Sequence, residues 1–460
     1  MKDLTSDSIP KLICEMAAPI AAGMIFQTLY FLIDLYFVAG LGNAALAGVG
    51  AGGVVMFIVF ALTQVLGVGT TTLIAHAVGR KDRADAIVIF NQSLMLSATC
   101  ALVVLALGYA FAGAYMRALG SDADTRSAGI DYLYWYLPGL GLQFALVAMS
   151  SALRGTGIVK PAMLVQMLTV VINAVLAPVL IAGWGTSHPL GVVGAALAST
   201  VSVAVGVLLL AGYFRRLEKY VEFDGGAWRP RRAAVLRLMR VGLPAGGEFA
   251  LMFIFMSVMY WIIRPFGAAA QAGFGVGVRV MQGIFLPAMA VAFATAPIAG
   301  QNFAAGKFDR VRQTFAAAAV ISSLMMFALT SFSRWQAAGL IHFFTADPAA
   351  VAVGTGFLQI ISWNFVASGV IFTCSGLFQG LGHTLPAVYS AASRLLTFVL
   401  PALWLAAKPQ FRLESLWYVS VLSVALQALF SLWLVRGELR RRLPAGLADA
   451  MPPRVHQGQG

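Results

Sequence analysis

The chain has 460 residues, of which 60% are hydrophobic and only 11% are charged. Its mean hydropathy is +0.84, and a soluble protein of this length carries far more charge, so the composition excludes a soluble globular protein. The net charge of +13 would suit a nucleic-acid partner. The basic residues cluster between apolar runs, however, which is a pattern of membrane topology.

Long apolar segments follow one another along the chain. A helix needs about 20 predominantly apolar residues to cross the hydrocarbon core, and by this measure we predict twelve spans. They lie at roughly 12–39, 45–75, 87–112, 131–152, 159–183, 190–214, 237–262, 273–300, 311–333, 351–377, 386–406 and 414–436. The predicted fold class is therefore all-α, a polytopic membrane protein.

The distribution of basic residues predicts the orientation of the chain. With both termini in the cytoplasm, 23 Lys and Arg residues fall on the cytoplasmic side and seven on the other side. This is the positive-inside bias of membrane proteins. The Ala- and Gly-rich composition, without long external loops, favours a bacterial cytoplasmic membrane.

Motifs of catalysis and of metal binding are not found in the sequence. The three Cys and five His residues are scattered without ligand or disulfide spacing. No nucleophile elbow, P-loop or dinucleotide fingerprint occurs. We therefore expect no enzyme, no resident metal or cofactor and no nucleic-acid partner, but a monomer surrounded by membrane lipids.

The two halves of the chain repeat one another at an offset of 225 residues. Six pairs of residues coincide at this offset: Pro19 and Pro244, Gly42 and Gly267, Ala47 and Ala272, Gly155 and Gly380, Gly157 and Gly382, and Pro161 and Pro386. Parallel repeats of six spans are typical of transporters whose halves rock around a central site. The predicted domains are an N-lobe (1–217), a cytoplasmic linker (218–236), a C-lobe (237–436) and a basic, disordered tail (437–460).

A carboxylate lies deep in the first predicted span. Asp34 follows ten mostly apolar residues. An ionisable group at that depth costs roughly 2.5–3.5 kcal/mol on insertion scales, so it normally faces a cavity and has a function. Gln27 and Tyr30 precede it at helical spacing on the same face. We predict a cation-coupling site at Asp34 and Gln27, with Tyr30 in contact with substrate; silent pairing of Asp34 and helix packing by Gln27 are the alternatives.

Two other polar residues of the spans are candidates for cation coupling. Asn173 precedes Pro178, which frees a helical carbonyl that can bind a cation or a water; the alternative is an amide that bonds across to a neighbouring helix. Glu248 follows Pro244 at the entry of the seventh span. For Glu248 the alternative is extension to the membrane surface or pairing with Arg240.

The seventh and eighth spans offer candidate substrate contacts. Thioethers and aromatic rings form an adaptable surface for flat lipophilic cations, although packing in the core explains the same pattern. The predicted substrate-binding residues of these spans are Met252, Phe255, Met256, Met259, Arg279 and Gln282. For Arg279 the alternative is an anchor at the membrane interface.

Several motifs resemble those of the multidrug and toxic compound extrusion (MATE) family over about 12–436. The opening pattern of that family is similar to Pro19, Gln27, Asp34, Gly42 and Ala47. The segment Ala299–Lys307 resembles the Gln-Asn-x-Gly-Ala-Gly junction of the family, with Ala304 where Gly is usual, and Ile74–Gly79 resembles the first-half junction.

The resemblance implies a V-shaped pair of six-helix lobes around a central cavity. It implies the export of cationic or other amphipathic compounds in exchange for H⁺ or Na⁺, coupled at Asp34 with Asn173 beside it. One branch of the family has a second Asp where this chain has Ala177, and another has a Glu where it has Met252. With so few carboxylates, the expected coupling ion is H⁺, and Na⁺ at Asp34 is the alternative.

The competing function is a flippase for lipid-linked oligosaccharides or lipid II. A pyrophosphate substrate requires a cationic cavity with several Arg or Lys residues in the spans. This chain offers chiefly Arg279 and Arg394 there, so the sequence favours the exporter.

Overall fold

The computed structural model describes residues 2–119, 122–185, 187–218 and 220–443. Within these ranges the regular structure is helical throughout. Residues 444–460 of the predicted tail lie outside the described residues.

The first half of the chain forms six long helices. They are α1 (Ile9–Ala39), α2 (Asn43–Gly79), α3 (Arg83–Leu119), α4 (Ala123–Gly155), α5 (Lys160–Ala182) and α6 (Val192–Arg216).

The second half forms eight helices. They are α7 (Arg232–Ile263), α8 (Ala268–Ala304), α9 (Phe308–Trp335), α10 (Ala337–His342), α11 (Pro348–Ile361), α12 (Asn364–Gly380), α13 (Leu385–Ala406) and α14 (Leu413–Arg442). Eleven of the described helices are long and apolar enough to cross a membrane, and α11 and α12 together make a twelfth, bent candidate. The prediction of an all-α polytopic membrane protein is confirmed.

The tenth predicted span, 351–377, is not one straight helix. Helices α11 and α12 meet at a bend of 60°, because side chains bind the backbone carbonyls at the break. Ser362 and Arg334 donate to the Gln359 carbonyl at 3.0 and 2.6 Å, and Thr330 donates to the Ser362 carbonyl at 3.1 Å. Such bonds compete with the helical ladder and bend it.

The last helix extends further than predicted. Residues 437–442 belong to α14, against the prediction of a tail disordered from 437. Glu438 explains the extension, because its buried carboxylate accepts a hydrogen bond from Arg442 at 2.7 Å and lies 3.0 Å from Nδ1 of His383, in the connection between α12 and α13.

The two halves are held together at the end of the molecule where the linker lies, which we call the linker end. Thr72 of α2 donates to the Gln379 carbonyl of α12 at 3.0 Å, and His76 Nε2 lies 2.7 Å from the Gly380 carbonyl. Arg237 of α7 makes two hydrogen bonds to Asp85 of α3 at 3.0 and 2.9 Å. We call the opposite end of the helices the far end.

The N-terminal segment stabilises the contact between the two halves at the linker end. Gln301 of α8 accepts from the Leu4 amide at 3.1 Å and donates to the Gly155 carbonyl at 2.9 Å. Its neighbour Asn302 donates to the Leu4 carbonyl at 3.0 Å. Both residues of the Gln-Asn pair in the second-half junction therefore bind the N-terminal segment, and Gln301 also binds the end of α4.

Two glycines allow the helices to approach this closely. A Cβ atom on Gly79 of α2 would lie 2.3 Å from the Gln301 carbonyl oxygen. One on Gly242 of α7 would lie 2.0 Å from the Val65 carbonyl oxygen. Both distances are far below van der Waals contact, so a larger residue at either position is incompatible with the closed linker end.

Candidate functional site

Asp34 is held by two neutral donors from neighbouring helices. Asn173 Nδ2 of α5 donates to Asp34 Oδ1 at 3.2 Å, and Ser199 Oγ of α6 donates to Asp34 Oδ2 at 2.7 Å. Asn173 and Ser199 are fully buried, and within the described residues Asn173 Oδ1 accepts no hydrogen bond. The structure brings Asp34 and Asn173 together, and their role in cation coupling stays a prediction.

The carboxylate of Asp34 is not locked to a base. No ion pair among the described residues includes it. It lies five residues before the last residue of α1, Ala39, which places it about 8 Å from the far end of that helix. A carboxylate held only by neutral groups can change its charge without leaving a base unpaired.

A cavity of about 260 Å³ lies beside this site, on the side toward the linker end. Its walls come mainly from α1, α2, α4 and α5, and α8 of the other half closes it with Met289 and Phe293. Gln27 and Tyr30 line it, so Tyr30 lies between the cavity and Asp34. The pocket therefore joins residues of both lobes with the residues that precede Asp34 in α1.

The candidate contacts of the seventh and eighth spans do not line this cavity. Phe255 and Met259 are buried in the core of the second half, and Met256 packs against that core. Met252 is half exposed, and Arg279 and Gln282 are exposed. In this conformation these residues are exposed or lie in the core, so their contact with substrate stays a prediction.

Glu248 lies in a second polar cluster, in the C-lobe. Its Oε2 accepts a hydrogen bond from Ser375 of α12 at 2.9 Å, and Gln379 Nε2 donates to Ser375 Oγ at 3.4 Å. Within the described residues no ion pair joins Glu248 to Arg240. Glu248 thus resembles Asp34 in that a neutral hydroxyl donates to its carboxylate.

Sequence reasoning missed three residues of these sites. Ser199 and Ser375 lie in predicted spans, but serines are frequent in membrane helices and gave no separate signal. Arg154 was counted among the cytoplasmic charges, because the fourth span was predicted to end at 152. Helix α4 extends to Gly155, and Arg154 lines the cavity.

The chain matches a family model twice. The model described as MatE matches residues 19–179 and 244–404. The starts of the two matches differ by 244 − 19 = 225 residues, which is the offset of the internal repeat.

Relatives cover most of the chain. The protein named multidrug export protein MepA from Staphylococcus haemolyticus is 25% identical over 404 residues, which cover 86% of this chain and 87% of the relative. A protein of Shewanella oneidensis named FAD transporter is 25% identical over 413 residues, covering 87% and 89%.

Solved structures share the fold. The structure described as the outward-facing conformation of a multidrug resistance MATE family transporter of the MOP superfamily aligns with a TM-score of 0.89 and 25% identity, over 95% of this chain and 97% of that chain. A MOP superfamily transporter from Pyrococcus furiosus aligns with a TM-score of 0.88 and 26% identity over the same shares.

Proposed function

We infer the function from the premise that this chain belongs to the MATE family. It is a multidrug efflux transporter with many membrane spans, and it is not an enzyme. We propose that it exports amphipathic organic compounds, including cations, in exchange for H⁺, by alternating exposure of the cavity to the two sides of the membrane.

The observation that carries the proposal is the Asp34 carboxylate among the neutral donors Asn173 and Ser199. A carboxyl group removed from water favours its neutral form, so proton uptake is a natural response of this site. Protonation converts an acceptor of Asp34 into a donor. Rotation of the Asn173 amide then presents its buried Oδ1, which accepts no hydrogen bond in the described residues, to the new O–H group.

The proposed cycle uses the position of the site in the membrane. We place the termini in the cytoplasm of a bacterial cell, so the linker end faces inward and the far end, near Asp34, faces outward. A proton enters from outside and binds Asp34, and the repacking of α1 around Tyr30 and Gln27 reshapes the cavity wall so that the substrate leaves outward. The lobes then rock, and the proton leaves inward.

The donor set favours H⁺ over Na⁺. A sodium ion would find the two carboxylate oxygens of Asp34, the Asn173 amide oxygen and the Ser199 hydroxyl. Hard cations are bound by several oxygen ligands, and a site with a single carboxylate is better suited to one proton.

The decisive test replaces Asp34 with Asn in the full chain reconstituted in liposomes. Substrate-induced proton release and drug transport are measured at clamped Na⁺, and then transport is driven by a Na⁺ gradient at clamped pH. We expect Asp34→Asn to abolish both proton release and uphill transport. Persistence of both at normal protein levels would remove Asp34 from the coupling path, and transport that depends only on Na⁺ would assign the other ion.

Two serines of α6 provide a matched control. Ser199 donates to Asp34, whereas Ser202, also fully buried, donates to the Ala198 carbonyl of its own helix at 2.7 Å. A hydrogen bond to a charged group contributes about 1.5–3 kcal/mol. We expect Ser199→Ala to lower drug-dependent proton release by roughly tenfold or more, and Ser202→Ala to leave it nearly unchanged.

The second candidate function, movement of a phosphate-bearing molecule, has one supporting observation. A relative from Shewanella oneidensis is named FAD transporter, so the same fold serves such a substrate there. Competition of FAD or a lipid-linked pyrophosphate with drug export would favour this function over drug efflux. We further propose that the working unit is a monomer in contact with lipid.

A further inference from the structure

Arg154 brings a positive charge into the N-lobe cavity. It carries the only charge among the described residues that line this cavity. Its Nη2 donates to Ser151 Oγ at 2.8 Å, and its guanidinium carbon lies 5.4 Å from the centre of the Phe293 ring of α8. The cavity is therefore cationic, although the protein is expected to export cations.

Among the described residues, not every N–H donor of this guanidinium makes a hydrogen bond. Within the described residues, the buried Arg154 Nε has no hydrogen-bond partner, and no ion pair includes Arg154. A guanidinium has five N–H donors and keeps its proton in proteins. A partly buried cation without a counter-ion is costly, and an incoming anion would offset that cost.

The side chain of Arg154 points away from the linker ends of α2 and α8. A Cβ atom placed on Gly67 would lie 3.8 Å from Arg154 Nη2. Gly67 and Phe293 precede the ends of α2 (Gly79) and α8 (Ala304) by 12 and 11 residues, so the guanidinium lies about 16–18 Å inside the linker ends of these helices. An arginine that only anchors a helix extends to the membrane surface instead.

The second half of the chain shows that the scaffold does not require this charge. Gln379 occupies the equivalent position, 225 residues later, and its Nε2 donates to Ser375 one turn earlier in α12. Arg154 makes the same kind of bond to Ser151 in α4. A neutral amide therefore suffices for the packing of this helix turn, and the positive charge is specific to the lobe that contains the cavity.

We propose that Arg154 is an anion-binding site in the N-lobe cavity and that a carboxylate, sulfonate or phosphate group of the exported molecule binds there. The inference rests on the proposed export function and narrows its substrates to amphipathic molecules with an acidic group, including zwitterions. The planar fork of the guanidinium matches two oxygens of such a group. A purely cationic compound meets repulsion from Arg154.

The test uses two dyes that share a three-ring xanthene skeleton, anionic fluorescein and a cationic rhodamine. The full chain in phosphatidylcholine nanodiscs is titrated with each dye, and binding is followed by fluorescence anisotropy. We expect Arg154→Gln, which copies the residue of the second half, to raise the fluorescein Kd by roughly ten- to a hundredfold. The rhodamine Kd should fall or change by less than about twofold.

Two further variants test whether Arg154 acts by binding the ligand or by its contact with Phe293 of the other lobe. Arg154→Lys keeps the charge without the planar fork, so we expect a smaller loss of fluorescein affinity than in Arg154→Gln. Phe293→Leu removes the ring beside the guanidinium and keeps the charge, and we expect it to change the fluorescein Kd by less than about threefold. Equal weakening of both dyes by Arg154→Gln would make Arg154 a packing residue and overturn the proposal.

Export of the rhodamine from sealed liposomes that contain the same protein separates this proposal from the proposed function. A wild-type protein that exports the rhodamine but does not bind fluorescein has no anion site and remains an exporter. A protein that exports neither dye contradicts both proposals. Adding phosphatidylglycerol to the nanodiscs distinguishes the source of the acidic group: competition with fluorescein assigns the site to a lipid headgroup, and an unchanged Kd assigns it to a dissolved substrate.

Discussion

The closed linker end leads to a quantitative prediction about Asp85. This carboxylate of α3 accepts two hydrogen bonds from Arg237 of α7, at 3.0 and 2.9 Å, and one from Arg80 at 2.8 Å. The Arg237 pair joins the two halves of the chain, so it exists only while the linker end is closed. Asp85→Asn preserves the shape of the side chain and removes its charge.

The magnitude follows from the exposure of the pair. A hydrogen bond to a charged group contributes about 1.5–3 kcal/mol when water is excluded. The side chains of Arg237 and Asp85 are 43% and 17% exposed, and screening by water reduces the contribution to about 1 kcal/mol. We therefore expect Asp85→Asn to shift the equilibrium between closed and open linker ends about fivefold toward the open state.

Spin-label distances measure this equilibrium. Cysteines placed at Lys160 and Leu385, both exposed and on opposite halves near the linker end, report the separation of the lobes. The native Cys14, Cys100 and Cys374 form no disulfide and can be replaced first. The population at long distance should increase in Asp85→Asn.

Arg83 provides the control for this experiment. It pairs with Glu222 of the linker at 3.2 Å, and both side chains are about half exposed. Arg83→Gln should leave the distance distribution unchanged, since exposed pairs contribute little. If Asp85→Asn matches the wild type, or if Arg83→Gln shifts the distances as much, the pair of Asp85 and Arg237 does not hold the lobes together.

Three other predictions concern packing and coupling. Gly242→Ala should open the linker end, seen as longer spin-label distances, because its Cβ would lie 2.0 Å from a carbonyl oxygen, whereas Gly437→Ala, with nothing within 4 Å, should not. Phe274→Ala removes a fully buried ring stacked on Trp417 and should cost about 3–5 kcal/mol, a clear fall in Tm in detergent; an equally stable variant would contradict the assigned core. Glu248→Gln should lower the number of protons released per drug molecule, and an unchanged ratio would remove Glu248 from coupling.

The spans, the repeat and a candidate site at Asp34 could be predicted from the sequence alone. A bilayer imposes these features along one dimension, because each span needs a long apolar run and a carboxylate inside it is costly. The predicted helix boundaries differ from the structure where side-chain hydrogen bonds determine them. Arg334 and Thr330 donate to backbone carbonyls at the bend between α11 and α12, and Glu438 accepts from Arg442 at the end of α14.

Which faces of the helices meet follows from the packing of the folded chain and not from the sequence pattern. An apolar side chain that faces the bilayer and one that packs against another helix belong to the same hydrophobic sequence pattern, since both environments are apolar. The sequence therefore could not show that Phe255 and Met259 enter the core, that Ser199 donates to Asp34, or that Arg154 turns from the end of α4 into the cavity.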